Sequence, residues 1–310
     1  MEKQYDLIII GGGPGAITAG IYAARKKIKT LLLTKDWNGQ MNWTNFIENY
    51  PGFESITGPE LVKKMVAHLE KYRGDAFDIK EGTEVKEIER VSDSLIKVKA
   101  NDHIFEAKAL IVSTGRHYRK LGVPGEEEFA NKGVSYCPVC DAPFFKDKEV
   151  AVIGGGNAGA ETVFDLLKYA SKIYLLGSRD KLNCDDCFRE RIIREPKVSV
   201  ILHAQVKEIK GEKFVSSLIY QDKKTEQTKE LSVQGVFVEI GTIANSTLLE
   251  NVVELNKAGE IKINARNQTS APNIFAAGDV TDISHKQVVI AAGEGAKAVL
   301  NAQEYLEKLN

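Results

Sequence analysis

One local pattern occurs twice in this chain, and it constrains the fold more than anything else in the sequence. Leu7 to Ile10 form a short apolar run that ends at Gly11-Gly12-Gly13-Pro14-Gly15-Ala16. A helical stretch rich in Ala and Ile follows to about Lys26, and a second apolar run spans Leu31 to Leu33. The same order returns at Val150 to Ile153, with the turn Gly154-Gly155-Gly156-Asn157-Ala158-Gly159, a helical stretch to about Ala170 and an apolar run from Ile173 to Leu176. Each copy is a strand, glycine turn, helix and strand of about 30 residues. The first glycine permits a tight turn, and the second lets backbone approach a pyrophosphate without a Cβ in the way. The third small residue, Ala16 or Gly159, lets helix and strand pack closely, so that helix N–H groups face the phosphates. One such match is weak, because glycines also mark ordinary turns. Two, each between an apolar strand and a helix, point to an α/β protein with two Rossmann-like nucleotide-binding domains.

The other elements sort around these copies. Thr57 to Arg73 carries Leu61, Met65 and Leu69 on one stripe with Val62 and Val66 beside it, which predicts an amphipathic helix. Short alternating stretches from Glu84 predict small antiparallel strands ending in the run Ala109 to Val112, and a similar β-rich stretch spans Val198 to Ile240. A final helix is expected from about Lys286 to Lys308, with Val289, Ala292, Ala296 and Leu300 facing inward. A chain of 310 residues suits two domains, one inserted into the other in this order. Its formal net charge of −1 provides no basic field for nucleic acid or an anionic membrane. The apolar runs are too short for a membrane span or a signal-peptide core, so the chain reads as cytoplasmic.

In that compartment thiols are kept reduced, and four cysteines do not make a structural disulfide set. They fall as two C-x-x-C pairs, Cys137-Pro-Val-Cys140 and Cys184-Asp-Asp-Cys187, a pattern of redox chemistry or metal binding. The gap between the pairs is far wider than zinc spacing, a strand–helix–strand unit fills it, and Asp141 stands where a zinc knuckle has glycine. At Cys137 and Cys140, therefore, redox chemistry is the better reading and no metal is expected. Two thiols held this close form a readily reduced disulfide, and Pro138 restricts the turn. Cys184 and Cys187 sit at an expected helix start, which favours thiolate, but Asp185 and Asp186 oppose it. No catalytic role is expected of that second pair.

Together with Gly39-Gln40, Glu48-Asn49-Tyr50-Pro51-Gly52, Ser113-Thr114-Gly115, Cys137-Pro-Val-Cys140-Asp141, Ala276-Ala277-Gly278-Asp279, Gln287 and Gly293-Glu294-Gly295, the two glycine turns carry a resemblance over the whole length. The chain resembles the low-molecular-weight thioredoxin reductases, and equally the C-terminal part of the flavoprotein subunit of alkyl hydroperoxide reductase. The resemblance implies an FAD-binding domain in two halves, 1–116 and 244–310. A nicotinamide-binding domain, 117–243, lies between those halves and carries the redox disulfide. It implies FAD contacts from Gly11, Gly13, Pro14, Ala16, Gly39, Gln40, Asn49, Thr114, Gly115, Gly278, Asp279, Gln287 and Val288. Asp279 would meet the ribityl chain, and Gln287 and Val288 would place helix-start N–H groups against the flavin. Thr34 stands where ribose recognition usually has an acid, which leaves Asp36 for the adenosine ribose or for the solvent. The implied cycle runs from a reduced nicotinamide through FAD to the Cys137–Cys140 disulfide and on to a thioredoxin-like or glutaredoxin-like protein. Cys140 is then the sulfur beside the flavin, Cys137 the interchange thiol and Asp141 the acid/base. The family is dimeric, which implies a homodimer.

The second copy departs from the family at the loop that selects the nicotinamide. NADPH-dependent relatives usually present His-Arg-Arg and a further Arg there, whereas NADH-dependent ones present an acid. Here the loop is Gly177-Ser178-Arg179-Asp180-Lys181, with Asn183 at the distal Arg position. Gly154, Gly156, Asn157, Gly159, Ser178, Arg179 and Lys181 form the expected nicotinamide site, with NADPH favoured over NADH. A ferredoxin- or deazaflavin-dependent reductase stays open. So does a reductase for a peroxiredoxin system, although a flavin turn at Gly11 leaves no room before it for the usual thioredoxin-like extension. A flavin- or zinc-binding redox sensor is the non-enzymatic alternative.

Overall fold

In the computed structural model, residues 4–37, 39–43 and 47–309 are described. The chain forms two compact units, one of Met1–Asn42, Asn49–His117 and Ile243–Asn310, the other of Tyr118–Thr242 with Trp43–Glu48. Residues 1 and 310, the outermost bounds expected from the sequence, lie outside the described residues.

In the first unit, the opening strand Gln4–Ile10 runs parallel to Thr30–Leu33 on one side and to His103–Val112 on the other. Phe77–Lys80 extends the sheet beyond Thr30–Leu33, and Ile274–Ala276 pairs in parallel with the end of His103–Val112. The first half of that long strand instead closes an antiparallel meander with Leu95–Ala100 and Val85–Ser92. From Leu7 to Ile10 the opening strand is buried on both faces, which is why that part of its sequence is continuously apolar. Ile8 and Ile10 point into a core shared with Ile96, Val98 and Ile274. Leu7 and Ile9 point into the opposite core, against Ile17 and Ala23 of the helix Pro14–Arg25 and Val299 of the last helix. A second helix, Gly58–Glu70, starts at a capping box in which Thr57 and Glu60 satisfy each other's backbone N–H groups, and it buries Leu61, Val62 and Leu69.

The last helix, Val288–Lys308, turns a different face inward from the expected one. Val289 and Leu300 are 40% and 39% exposed, and the buried face is Ala291, Ala292, Gly295, Ala298, Val299, Ala302 and Leu306. The cause is a close helix crossing. A Cβ at Gly295 would lie 2.1 Å from the carbonyl oxygen of Gly15, so the smallest residues set the contact and the larger ones are displaced outward. Among the described residues, no helix is long and apolar enough to cross a membrane.

The second unit repeats the plan. Its sheet is wholly parallel, in the order Val198–Ile201, Lys172–Leu176, Glu149–Ile153, Gly235–Val238, Val134–Ser135. The helix after the glycine turn covers Asn157–Leu166, ending short of the expected Ala170. Val150 and Val152 face that helix, while Ala151 and Ile153 face the antiparallel meander Ala204–Gly211, Val215–Asp222 and Thr228–Ser232. The chain enters this unit after the strand Arg116–Tyr118 and leaves it through Thr242–Ala244.

Glu239 follows the strand Gly235–Val238 and sits against the second glycine turn, where a Cβ at Gly154 would come within 2.1 Å of its carbonyl oxygen. Its Oε1 is buried and has no hydrogen-bond partner among the described residues. Burial pushes this carboxyl from 4.5 up to about 8, against a weaker opposing hydrogen bond from Thr162. Between those two values the folded chain holds a proton that the unfolded chain releases, so folding loses stability as pH rises through the window. Thermal melts of Glu239→Gln and the parent should show a gap in the variant's favour that widens by several degrees between about pH 5 and about pH 9. A gap independent of pH would remove Glu239 from the linkage.

Candidate functional site

Cys137 and Cys140 form a disulfide, with Cα atoms 5.4 Å apart. The local sequence explains the geometry. Cys137 is the N-cap of the short helix Pro138–Asp141, and Pro138 occupies its first position, where a missing N–H costs nothing. The Cys137 carbonyl accepts from the N–H groups of Cys140 (3.2 Å) and Asp141 (3.0 Å), which closes the turn around the two sulfurs. Asp141, at the end of this turn, is buried. Ser135 donates its hydroxyl to Asp141 Oδ2 at 2.6 Å and accepts the Cys137 N–H at 3.2 Å. Asp141 Oδ1 is buried without a hydrogen-bond partner among the described residues. Burial holds the Asp141 carboxyl above the usual carboxylate range, and the Ser135 hydroxyl offsets part of that rise. An acid poised in this way, linked through one hydroxyl to the backbone of a redox cysteine, is suited to moving protons as thiols form and disappear.

In the first unit, the opening glycine turn is built against neighbouring backbone. Gly11 has φ +136°, and a Cβ there would lie 2.2 Å from the Ser113 carbonyl oxygen. A Cβ at Gly12 would meet the Asp36 carbonyl oxygen, which the Thr34 hydroxyl holds by a 2.6 Å hydrogen bond. Gly13 faces open space, and the helix that starts at Pro14 has no side-chain cap and no acid in its first turn. Ala16 is fully buried behind it. On the same unit, Gln40 Nε2 donates to the Arg116 carbonyl, and Asn49 Nδ2 donates to Gln287 Oε1 at 3.2 Å. Gln287 is the N-cap of the last helix, with Val288 at its first position, and that start also lacks a side-chain cap and an acid. Thr114 donates its hydroxyl to the Asn245 carbonyl at 2.7 Å, and Gly115 has φ +67°. Gly278 turns at φ +76° beside Ala291 and Ser113, which places Asp279 next to the glycine turn. Burial raises the Asp279 carboxyl, partly countered by Lys286 and Arg116. Lys286 and Arg116 each lie 3.3 Å from Glu260 Oε1. Gly39 faces open space near Gln40 in the chain.

The second glycine turn shows the same logic more tightly. Gly154 has φ +139°, and a Cβ at Gly159 would lie 1.9 Å from the Gly154 carbonyl oxygen. The helix Asn157–Leu166 begins at Gly156 without a side-chain cap or a first-turn acid. Asn157 instead turns outward, and its Oδ1 accepts the Asp185 N–H at 2.8 Å. Ser178, Arg179 and Lys181 are exposed at the end of the strand Lys172–Leu176. Neither cation forms an ion pair among the described residues. Cys184 is buried and Cys187 exposed, both as free thiols. No group of three or more His, Cys, Asp and Glu side chains among the described residues is placed to hold a metal ion.

Sequence reasoning missed two contributors to the redox turn. Ser135 lies two residues before Cys137 and had no motif to mark it. Tyr136, adjacent to Cys137, donates to Glu126 Oε1 at 2.8 Å. That carboxylate is buried and also accepts the Leu121 and Gly122 N–H groups at 2.8 Å each. The network anchors the residue before the disulfide. In the sequence Glu126 is the first of three consecutive glutamates, and nothing there marks it from Glu127 and Glu128.

Comparisons with known proteins agree with this construction. Residues 5–295 match the family model for pyridine nucleotide-disulphide oxidoreductases. The chain is 40% identical over 305 residues to an alkyl hydroperoxide reductase subunit of Staphylococcus epidermidis, covering 98% of this chain and 60% of that protein. Among solved structures, it is similar to the thioredoxin reductase of Streptococcus pyogenes, with TM-score 0.92 and 37% identity over 99% of this chain and 100% of that one. The thioredoxin reductase of Giardia duodenalis gives TM-score 0.91 and 32% identity over 99% and 100% of the two chains. The chain thus spans about 60% of the length of the curated relatives it matches. Both groups of proteins that the motifs resemble are found, and the chain belongs to the pyridine nucleotide-disulphide oxidoreductase family.

Proposed function

We propose that this chain is an FAD-dependent thioredoxin-disulfide reductase that draws electrons from a reduced nicotinamide, with NADPH favoured over NADH. The observation that carries the reading is the Cys137–Cys140 disulfide held at a helix start with the buried acid Asp141 linked to it through Ser135.

The first unit's residues fit FAD. Gly11 and Gly12 close the turn against the Ser113 and Asp36 carbonyls, a Cβ at Gly13 would enter the open space before an uncapped helix start, and Asp279 lacks a donor from the chain among the described residues. Gly11, Gly13, Pro14 and Ala16 would hold the pyrophosphate, and Asp279 would accept from the ribityl hydroxyls. Gly39, Gln40, Asn49, Thr114, Gly115, Gly278, Gln287 and Val288 would surround the ring, and Asp36 would serve the adenosine ribose. When bound, FAD supplies a two-electron relay between nicotinamide and disulfide. Gly154, Gly156, Asn157 and Gly159 would bind the nicotinamide's pyrophosphate. Ser178, Arg179 and Lys181 would bind the 2′-phosphate, for which the two unpaired cations favour NADPH.

The chain's own chemistry then follows thiol–disulfide exchange. The Cys137 thiolate attacks a disulfide of a thioredoxin-like or glutaredoxin-like partner, and a mixed disulfide forms. Cys140 attacks the Cys137 sulfur, which releases the partner as a dithiol and restores the Cys137–Cys140 bond. Asp141 takes and returns the thiol protons, and Ser135 positions it. Val139, 55% exposed, and the exposed Phe144 give the surface beside the disulfide an apolar character suited to a protein partner. The reading places the enzyme in the cytoplasm as a homodimer. A second reading, a reductase for a peroxiredoxin system, is supported by the 40% identity to the alkyl hydroperoxide reductase subunit.

Three outcomes test the assignment. Purified Cys140→Ser should keep the yellow oxidised-flavin spectrum while losing reduction of thioredoxin by at least about a thousandfold, the scale on which a missing nucleophile acts. A colourless parent protein, or a variant with full turnover, would overturn the reading. Asp141→Asn should retain the flavin and lower kcat by about a hundredfold, with the pH dependence of kcat that reports the raised Asp141 carboxyl removed. An unchanged pH profile would leave Asp141 outside proton transfer. Arg179→Ala should raise KM for NADPH by about tenfold and leave KM for NADH within about twofold. Equal effects on both would exclude Arg179 from phosphate recognition. Running the parent with thioredoxin and with a peroxiredoxin-linked partner separates the two readings by kcat/KM.

A further inference from the structure

The second C-x-x-C pair is not absorbed by the redox chemistry above, yet it lies in a consequential place. The segment Leu182–Asp185 is hydrogen-bonded directly onto the second glycine turn. Asn183 N–H donates to the Gly155 carbonyl at 2.8 Å, and Asp185 N–H donates to Asn157 Oδ1 at 2.8 Å. The Leu182 side chain completes the contact, since a Cβ at Gly155 would come within 3.2 Å of its Cδ2. Cys184 stands inside this segment, 6% exposed, in the same core cluster as Leu182, Ala160 and Ile192. Cys187 stands one residue into the helix Asp186–Arg194 and is exposed. Arg189 ties the helix back to the segment through the Leu182 and Cys184 carbonyls, at 3.4 and 3.5 Å. The two thiols have the spacing of Cys137 and Cys140, whose Cα atoms at 5.4 Å fall within the range a disulfide needs.

We propose that Cys184 and Cys187 form an oxidation switch, closing to a disulfide under hydroperoxide and thereby weakening dinucleotide binding at the second glycine turn. This inference rests on the reading of that turn as the nicotinamide site. The exposed Cys187 thiolate attacks the peroxide oxygen, the O–O bond breaks, and Cys187 becomes a sulfenic acid while the peroxide leaves as an alcohol, or as water from hydrogen peroxide. The Cys184 thiol then attacks the sulfenic sulfur. An S–S bond forms, the S–O bond breaks, and the hydroxyl leaves as water with the Cys184 proton. Two thiols lose two electrons, and one hydroperoxide gains them.

The structural consequence follows from where the two sulfurs start. One belongs to the core and the other to the surface, so bonding them must pull Cys184 outward or draw the first helical turn inward. Either movement displaces residues 183 and 185, whose N–H groups hold the glycine turn. Burial keeps the Cys184 thiol above its ordinary range, which suits it to the second, resolving step rather than the first. Reduction by a dithiol reverses the change, so the site responds to the redox state that the enzyme itself maintains.

The test uses the full-length flavoprotein with NADP⁺ and NAD⁺ as probes, since neither is turned over. Hydrogen peroxide treatment followed by alkylation and peptide mapping should recover a Cys184–Cys187 cross-linked peptide. Calorimetric titration should then show NADP⁺ affinity reduced by about tenfold, within the ordinary range for coupled sites, and restored by dithiothreitol. Cys187→Ser, at an exposed position that tolerates substitution, should bind NADP⁺ like the untreated parent and show no response to peroxide. A treated parent without the cross-link, or with the cross-link and unchanged affinity, overturns the switch and leaves the proposed function standing. A reduced parent that binds neither probe overturns the nicotinamide reading, and the switch with it.

Discussion

Each half of this fold depends on a place where backbone meets backbone with no side chain between them. At the second turn, the Gly154 carbonyl oxygen occupies the space that a Cβ on Gly159 would need, and the Glu239 carbonyl occupies the space of one on Gly154. At the first, Ser113 does the same to Gly11. These contacts bring the start of a helix against the ends of parallel strands, and the helix then covers one face of a sheet buried on both. Without them, the apolar strands Gln4–Ile10 and Glu149–Ile153 would have no close-packed helix to bury against. The N-caps of both helices, Gly13 and Gly156, are glycines too, so no side chain caps the first N–H groups. Close packing and uncapped helix starts thus arise from the same runs of glycines.

Burial of carboxyl groups is the second recurring device. Asp141, Glu239 and Asp279 all sit where desolvation raises them, and each is beside a turn that the family chemistry uses. They differ in what opposes the burial. Ser135 donates to Asp141, Lys286 and Arg116 stand near Asp279, and Glu239 has only a weak hydrogen bond. All three are raised by burial, and the partner of each sets how far that rise is offset.

Much of this was legible in the sequence, for a physical reason. Glycine turns, apolar strands and a C-x-x-C pair are local, so their chemistry is written in consecutive residues. The parallel strands beside each glycine turn and the cysteine pair could be read from Gly11–Ala16, Gly154–Gly159 and Cys137–Cys140. The inward face of the last helix could not. The stripe Val289, Ala292, Ala296 and Leu300 carries the larger apolar side chains, so periodicity alone favours it over the observed stripe through Ala291, Gly295, Ala298 and Ala302. The choice between them is made by contact with Gly15, some 280 residues away in the chain. Ser135 and Glu126 escaped for the same reason. A serine and a glutamate carry no information until the fold brings Asp141 and Tyr136 to them.

The two cysteine pairs show how far environment outweighs motif. Both have two intervening residues, and both stand at the start of a helix. In one, proline at the first helical position and a carbonyl accepting two N–H groups hold the sulfurs together, and a buried acid is linked to the turn. In the other, two aspartates intervene, one sulfur is packed in the core and the other faces solvent, and the bond is open. The first arrangement holds the two sulfurs together through the turn itself, which lowers the entropy cost of forming the disulfide. The second places that cost on a segment that also holds the glycine turn. A disulfide there would act on the segment that holds the glycine turn, and the proposed switch uses that coupling.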